Sequence, residues 1–129
     1  MRALLTRSWP AGAVVRGNRI VALATNADTI AETTGPTQAA IGVSDAMGAT
    51  VAGQMCDVHL VGAVEVVAGG NIARGDWLIS DAQGRAVPLP APAVAAQTRE
   101  VVGRALGAAA EGDLLFVLLG PTRVVVPVA

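Results

Sequence analysis

Three side chains that commonly bind metal ions or transfer protons lie within four positions of each other: Cys56, Asp57 and His59. The apolar residues around them predict a β-strand, in which successive side chains point to opposite faces. Asp57 and His59 would then share one face and Cys56 the other, so the three cannot bind one metal ion within a single chain. A symmetric oligomer could gather several copies of His59, but we favour a plain strand with His59 at the surface or at a subunit contact.

A second candidate for chemistry is Ser44, in the segment G-V-S-D-A that begins at Gly42. The segment differs by one residue from the nucleophile elbow G-x-S-x-G, because Ala46 stands where the motif has its final glycine. That elbow also needs a large α/β sheet, for which this chain is short. The sequence instead predicts a capped turn, in which Ser44 and Asp45 precede a single helical turn.

Other catalytic and cofactor motifs are missing from the sequence. It contains no Walker loop, dinucleotide fingerprint, C-x-x-C or H-E-x-x-H pattern. Biotinyl and lipoyl carrier domains, which are also built from two half-sheets, attach their cofactor to a lysine, and this chain has no lysine. We therefore expect no enzymatic activity, no catalytic residue, no metal site and no cofactor.

The charge and hydropathy of the sequence argue against two classes of partner, nucleic acids and membranes. Nine arginines and ten acidic residues are scattered singly and give a net charge of −1. Nucleic-acid binding needs a clustered basic face and membrane-surface binding a basic amphipathic helix, so we expect neither partner. The longest strongly apolar run, Leu114 to Leu119, is far below the ~20 residues of a membrane-spanning helix. Arg7 and Pro10 leave the N-terminal apolar stretch too short for a signal peptide, so the chain is expected to stay where it is made.

The composition predicts a thin hydrophobic core. At 129 residues the chain fits one domain, which can bury roughly two-thirds of its unfolded surface. Its apolar residues include 26 Ala and 19 Val, and its aromatic residues are Trp9, Trp77 and Phe116. Small side chains bury little area each, and a single cysteine allows no intrachain disulfide. We therefore expect oligomerisation or a host surface to contribute to stability.

The segment from Asn71 to Pro88 has the features of a complete strand–turn–strand unit. The run Trp77 to Ile79 supplies apolar strand residues, and Asp81 to Gly84 supply turn residues. A related unit occurs earlier, at Val14 to Leu23. In both units an apolar residue precedes Arg-Gly, followed by a short polar residue and a second apolar run.

The landmarks of the first unit recur later in the chain at a nearly constant distance. Two pairs are 58 residues apart and a third is 61 apart, which requires a small length difference within the repeat. These pairs are Arg16 and Arg74, Gly62 and Gly120, and Gly42 and Gly103. We infer two copies of one β-rich half, residues 11–64 and residues 69–121.

These segments predict an all-β chain with at most short helical turns. Residues 1–10 are expected to form an N-terminal arm anchored by Trp9 and Pro10, residues 11–121 a single β-rich domain, and residues 122–129 a C-terminal strand. Two prolines within residues 89–97 predict an exposed extended loop, and Pro127 confines the last strand to an edge or a terminus. A compact sandwich, a small barrel and a β-clip or tulip-like domain all fit this list of strands.

Further expectations concern single side chains. Trp77 is expected in the core, as a very large side chain in an aromatic-poor chain, whereas Trp9 on the arm is expected at a contact surface. Arg16 and Arg74 are expected to be solvated turn charges. Five aspartates, most of them beside Gly or Ser, are expected to be turn residues; they are Asp28, Asp45, Asp76, Asp81 and Asp113.

Four sequence segments are spread over nearly the whole chain beyond its first nine residues. They are P-A-G-A-V-V-R-G-N from Pro10, I-G-V-S-D-A from Ile41, G-x-I-A-R-G-D-x-L-I-S-D-A-Q-G-R-A-V from Gly70, and V-G-R-A-L-G-A-A-A-E-G-D-L-L-F-V-L-L from Val102. Through them the chain resembles the small capsid cement, or head decoration, proteins of tailed bacteriophages. The resemblance depends on turns and strands and carries no catalytic signature.

The resemblance implies a compact β-rich domain on the virion surface, without an active site. Such proteins are often trimers that occupy three-fold or quasi-three-fold positions and clamp neighbouring capsomers. The implied partners are the major capsid protein and further copies of the chain, after synthesis in the host cytoplasm.

A clamp needs extended β edges and terminal segments that can add a strand to a partner. We therefore predict a capsid or subunit interface at the two termini. Its residues are Arg7, Trp9, Pro10, Arg123, Val124 and Val126. The alternatives are another minor virion component, such as a head-fibre base or tail part, and a β-barrel ligand-binding module or enzyme with a site between subunits.

Overall fold

The computed structural model describes residues 3–25, 27–90 and 97–126. These residues form strands and no helix, which confirms the all-β prediction; accordingly, no helix in this part of the chain could span a membrane. The strands are β1 (Ala3–Pro10), β2 (Ile20–Leu23), β3 (Ile30–Glu32), β4 (Gly42–Ser44), β5 (Met55–Val67), β6 (Trp77–Ser80), β7 (Ala86–Pro88), β8 (Gln97–Ala105) and β9 (Leu114–Val126).

The strands join one sheet that curls into a half-barrel. Its order is β3-β2-β4-β5-β9-β8-β6-β7, and β1 pairs with β5 beside this path. The ladders between the strands are antiparallel. Parts of three predictions lie outside the described residues: the first two positions of the N-terminal arm, the centre of the 89–97 loop, and Pro127.

β5 is one continuous strand of 13 residues that runs through the landmark residue Gly62. Val58 and Val64 are buried while their neighbours Asp57 and Glu65 are exposed, the alternation of a strand with one solvated face. Gly62 has a φ of 112°, which glycine adopts without strain. It also marks a change of partner, because β1 pairs with β5 up to Gly62 and β9 pairs with the residues that follow.

The pairing pattern of β2 to β5 recurs in β6 to β9. In the first set, β2 pairs with β3 and β4, and β4 pairs with β5. In the second set, β6 pairs with β7 and β8, and β8 pairs with β9. Isolated antiparallel bridges also recur, between Val15 and Ala49 and between Ile72 and Ala109. The pairing of β5 with β9 joins the two sets into a single sheet.

Two glycines at corresponding places in these sets allow neighbouring strands to approach closely. A Cβ atom on Gly42 would overlap the backbone carbonyl oxygen of His59 on β5, and one on Gly103 would overlap that of Leu118 on β9. Neither glycine has a positive φ, so the requirement is for space and not for a special backbone conformation. These are the two landmark glycines that lie 61 residues apart in the sequence.

Three connections between strands contain the same kind of tight turn. Gly53, Gly75 and Gly112 have φ angles of 88°, 89° and 87°, as the third residue of a type II turn requires. In each turn, the residue after the glycine donates its N–H to the carbonyl oxygen two residues before the glycine. Asp76 and Asp113 also accept a backbone N–H through their side chains, so they are turn residues as predicted.

The core consists of two clusters of short aliphatic side chains. The larger cluster draws residues from both sets of strands, and the smaller one surrounds Trp9 and includes Cys56. The largest fully buried side chains are mainly valines, joined by Ile20, Ile30 and Leu78. Because each of these side chains buries little area, continuous backbone pairing must carry much of the fold.

An ion pair joins the segment before β2 to the edge strand β3. Arg16 Nη2 lies 2.7 Å from Glu32 Oε1, while its Nε and its backbone N–H both donate to Oε2. The same Nη2 donates to the Gln83 carbonyl oxygen at 3.3 Å, which links the two sets of strands. The expectation that Arg16 is only a solvated turn charge is therefore wrong. Burial opposes ionisation of Glu32, but the hydrogen bonds from Arg16 outweigh it and hold the pKa of Glu32 below its usual value.

Replacing Gly42 or Gly103 by alanine is expected to destabilise the fold, because the added methyl group must push paired strands apart. We expect each variant to lose about 1–3 kcal/mol in the free energy of unfolding, the usual cost of overpacking. Gly120→Ala is the matched control, since a Cβ atom there meets nothing within 4 Å. Urea denaturation measures the difference, and equal stability of all three variants would contradict the close approach.

The Arg16–Glu32 pair predicts a loss of stability in acid. The pKa of Glu32 is lower in the folded chain than its unfolded value of about 4.3, so the ionised carboxylate stabilises the fold above that pH. This contribution disappears as the pH falls through the folded pKa, because both states then bind the proton. We expect Glu32→Gln and Arg16→Gln each to flatten the pH dependence of unfolding below about pH 4.5. Urea denaturation across the acid range tests this, and an unchanged slope in both variants would exclude the pair as its source.

Candidate interaction surface

Asp57 and His59 lie on the exposed side of β5, where they contact side chains of β1. Thr6 Oγ1 lies 3.0 Å from His59 Nδ1, and the Ser8 hydroxyl donates a hydrogen bond to Asp57. Cys56 points to the other side and is 1% exposed. The prediction that Asp57 and His59 share one face and Cys56 the other is confirmed. Within the described residues, no three metal-binding side chains come together.

Cys56 is chemically protected by its position. Burial raises the pKa of its thiol to about 11, and the negative charges of Asp45 and Asp57 act in the same direction. The thiolate is the form of cysteine that attacks electrophiles and binds metals. Cys56 therefore serves the fold as a small apolar side chain next to Trp9 in the smaller core cluster.

Ser44 holds a turn together and is not placed as a nucleophile. Its side chain is fully buried, and its hydroxyl donates to the carbonyl oxygen of Arg16 at 2.7 Å. The Ser44 hydroxyl oxygen also accepts the backbone N–H of Arg19 at 3.0 Å. The next residue, Asp45, accepts the backbone N–H of Met47 through Oδ1 at 3.2 Å. Asp45 thus caps a turn as the sequence predicted, but the predicted helical turn does not form.

Three of the predicted interface residues lie on β1. The strand is paired along β5 from Ala3 to Pro10, so the described part of the N-terminal arm is docked on the domain. Trp9 is 7% exposed and belongs to the smaller core cluster, while the Arg7 guanidinium carbon lies 4.7 Å from the centre of its ring. Trp9 therefore anchors β1, Arg7 is the exposed member of the pair, and Pro10 is partly buried opposite Met55.

The other three predicted residues lie at the end of β9. The Arg123 side chain is 69% exposed, and its Nε donates to Glu100 Oε1 on β8 at 2.7 Å. Val126 is buried and Val124 is partly buried, whereas Val125 between them is 64% exposed. The segment continues β9, which runs without interruption from Leu114.

β1 and β9 meet at one point on β5. The register places Ala3 opposite Gly62 and Leu118 opposite Ala63. Beyond this point β9 pairs with β8, while β1 remains on β5. Each of the two strands therefore keeps one edge without a strand partner in the part of the chain that the structure describes.

The sequence analysis missed an exposed pair formed by Trp77 and Arg104. Trp77 was expected in the core, but it is 45% exposed because Leu78, its neighbour on β6, takes the inward position. Arg104 lies directly opposite on β8, with its guanidinium carbon 4.5 Å from the centre of the Trp77 ring. Leu78 and Ile79 are both buried and the run Trp77 to Ile79 is apolar throughout, so the sequence held no alternation that could have placed Trp77 outside.

A cleft of about 280 Å³ lies beside the exposed side of β5. Small-molecule sites usually measure roughly 300–1,000 Å³. The cleft therefore lies at the lower limit of this range. It is lined by Ala3, Asn18, Ala46, His59, Ala63, Val64, Glu65 and Phe116.

The fold is similar to that of a solved phage head component. The N base of head fiber gp8.5 in bacteriophage phi29 matches with a TM-score of 0.68 and 25% sequence identity, over 90% of this chain and 93% of that one. The protein is thus a phage structural protein. A family model for phage cement proteins matches residues 7–120, and the chain belongs to this family, which confirms the resemblance found in the sequence. None of the curated proteins compared with the chain matches it.

The Cys56 thiol is expected to react slowly with alkylating reagents while the protein is folded. With a pKa of about 11, only about 0.1% of the thiol is ionised at pH 8. We expect iodoacetamide labelling at that pH, followed by mass spectrometry, to be ~100-fold slower than in concentrated guanidinium chloride. Met47→Cys in a Cys56→Ser background is the control, because position 47 is 83% exposed and should react at similar rates in both conditions. Fast labelling of folded Cys56 would contradict its protection.

Proposed function

We propose that the protein is a capsid decoration, or cement, protein that binds the outer surface of a phage head. The match of the cement family model to residues 7–120 carries this proposal. We further propose that the protein forms trimers. These trimers occupy three-fold or quasi-three-fold positions on the capsid and bridge neighbouring capsomers. The partners are then the major capsid protein and further copies of the chain.

Two strand edges support a bridging role. β1 and the end of β9 pair on one side, and their other edges have no strand partner among the described residues. An extended segment of a partner can add to such an edge as a further strand through main-chain hydrogen bonds. Arg7 and Arg123 project beside these edges as exposed cations.

Several weak contacts are sufficient for such a protein. A trimer that touches several capsid subunits binds them together, so the contacts reinforce each other through a high effective concentration. The thin Ala- and Val-rich core supports the same view, because a domain with modest internal stability gains from attachment to a rigid surface. The side chains that resembled catalytic groups are engaged in the fold, which supports a non-enzymatic role.

A second candidate is the base of a head fibre. The similarity to the phi29 head fiber base, at a TM-score of 0.68, favours it. A fibre base and a cement protein share the need to bind a phage head. They differ in number and in what is attached to them, so copy number separates the two.

Quantitative mass spectrometry of purified virions tests the proposal through the ratio of this protein to the major capsid protein. Similar copy numbers, together with loss of capsid integrity when the protein is stripped off, are expected for a cement protein. A small number of copies would favour the head-fibre base. Absence from particles would overturn both functions.

Arg7→Ala and Arg123→Ala are expected to weaken binding to stripped capsids. Exposed arginines beside a free edge are typical contact residues, and we expect each change to reduce affinity about tenfold. Arg74→Ala is the control, because Arg74 is also exposed but lies in a turn away from both edges. Co-sedimentation with capsids measures binding, after thermal unfolding has shown that each variant is folded. If both variants bind as Arg74→Ala does, the predicted terminal interface is wrong.

A further inference from the structure

The outward face of the sheet carries a row of side chains that the core does not use. The register places Trp77 opposite Arg104, and Arg104 opposite Leu118. Leu118 in turn lies opposite Ala63 on β5. Directly opposite residues share one face of a sheet, so the row crosses four strands. Trp77 is 45% and Leu118 51% exposed, which makes this an apolar surface open to a partner.

One end of the row is a projecting aromatic and cationic pair. The Arg104 guanidinium lies over the Trp77 ring, and its Nε donates to the Gly75 carbonyl oxygen at 3.1 Å. None of the ion pairs formed by the described residues includes Arg104. A stacked tryptophan and an arginine with open donors form the combination that most often dominates binding between proteins.

The other end of the row is a cleft with an acidic rim. Glu65 lies two residues beyond Ala63 on the same face of β5, opposite Phe116, and is exposed. It lines the 280 Å³ cleft together with apolar atoms of Ala63 and Phe116. No arginine of the described residues forms an ion pair with Glu65. The cleft therefore offers an apolar wall and a carboxylate that can accept hydrogen bonds.

We infer that these two ends bind each other across a contact between two copies of the chain. The Trp77 side chain of one copy enters the cleft of its neighbour, and Arg104 beside it pairs with the neighbour's Glu65 at the rim. Leu118 and Phe116 lie between the two ends and become buried in the contact. The complementary charges, together with a projection and a recess on the same face, single out a second copy as the occupant.

In a symmetric assembly, every copy can form this contact with a neighbour. Two copies related by a two-fold axis would form it twice, and copies around a three-fold axis would form it once between each neighbouring pair. It is distinct from the terminal edges proposed to bind the capsid, and it rests on the proposed function only for the existence of self-association. Burial of Trp77 and Leu118 would supply the apolar area that the core of a single chain lacks.

Exchanging the two charges tests the contact on the purified full chain, without capsids. Arg104→Glu would face Glu65 of the neighbour, and Glu65→Arg would face Arg104, so each single variant should associate at least tenfold more weakly. The variant with both changes restores opposite charges and should recover most of the affinity. Analytical ultracentrifugation over a range of concentrations measures association, and the mass of the complex distinguishes two-fold from three-fold closure.

Two further variants separate this contact from a general charge effect. Trp77→Ala removes the projection and should weaken association, whereas Asp28→Arg reverses an exposed charge in the turn between β2 and β3, at the other end of the sheet, and should not. A wild-type protein that remains monomeric, or a double variant no better than the single ones, would overturn the inference. Because the measurement needs no virion, association through this face in a protein absent from particles would reject the proposed function and leave the contact standing.

Discussion

Backbone pairing along β5 is the constraint on which the rest of the structure depends. This strand pairs with β4 on one side, and with β1 and then β9 on the other. The change of partner occurs at Gly62, whose positive φ allows the strand to continue while the sheet divides. The N-terminal strand and both sets of strands are therefore held in register by one segment. A shift of one residue in β5 would turn its buried side to solvent and would disturb every other pairing.

The abundance of small residues follows from this architecture. Gly42 and Gly103 leave room for the carbonyl oxygens of neighbouring strands, and valines fill the narrow space under the curled sheet. A core of this kind contributes less hydrophobic free energy than one rich in aromatic residues. The larger side chains Trp77 and Leu118 lie outside, where they can add buried area only when a partner covers them. The proposed contact between copies would therefore add to the stability of the domain.

The residues whose types suggested catalysis or metal binding have structural roles. Ser44 bonds to the backbone of the turn before β2, and Cys56 is buried with a raised pKa. Asp57 and His59 contact β1 through Ser8 and Thr6. Each of these groups forms contacts that stabilise strands or turns. This use of polar side chains agrees with the assignment of the chain as a phage structural protein.

The sequence alone determined the all-β class, several of the turns and the family. Runs of small apolar residues predicted strands, aspartates beside glycine marked turns, and the segments from Pro10 to Leu119 pointed to cement proteins, because all of these signals are local. The N-terminal strand β1 and the short strand β3 were not predicted. Only the tertiary structure decided which residues meet across the sheet. It placed Arg16 against Glu32, made β5 continuous through Gly62, buried Trp9 and exposed Trp77 beside Arg104. Pairing register and curvature set these contacts, and both depend on residues far apart in the chain.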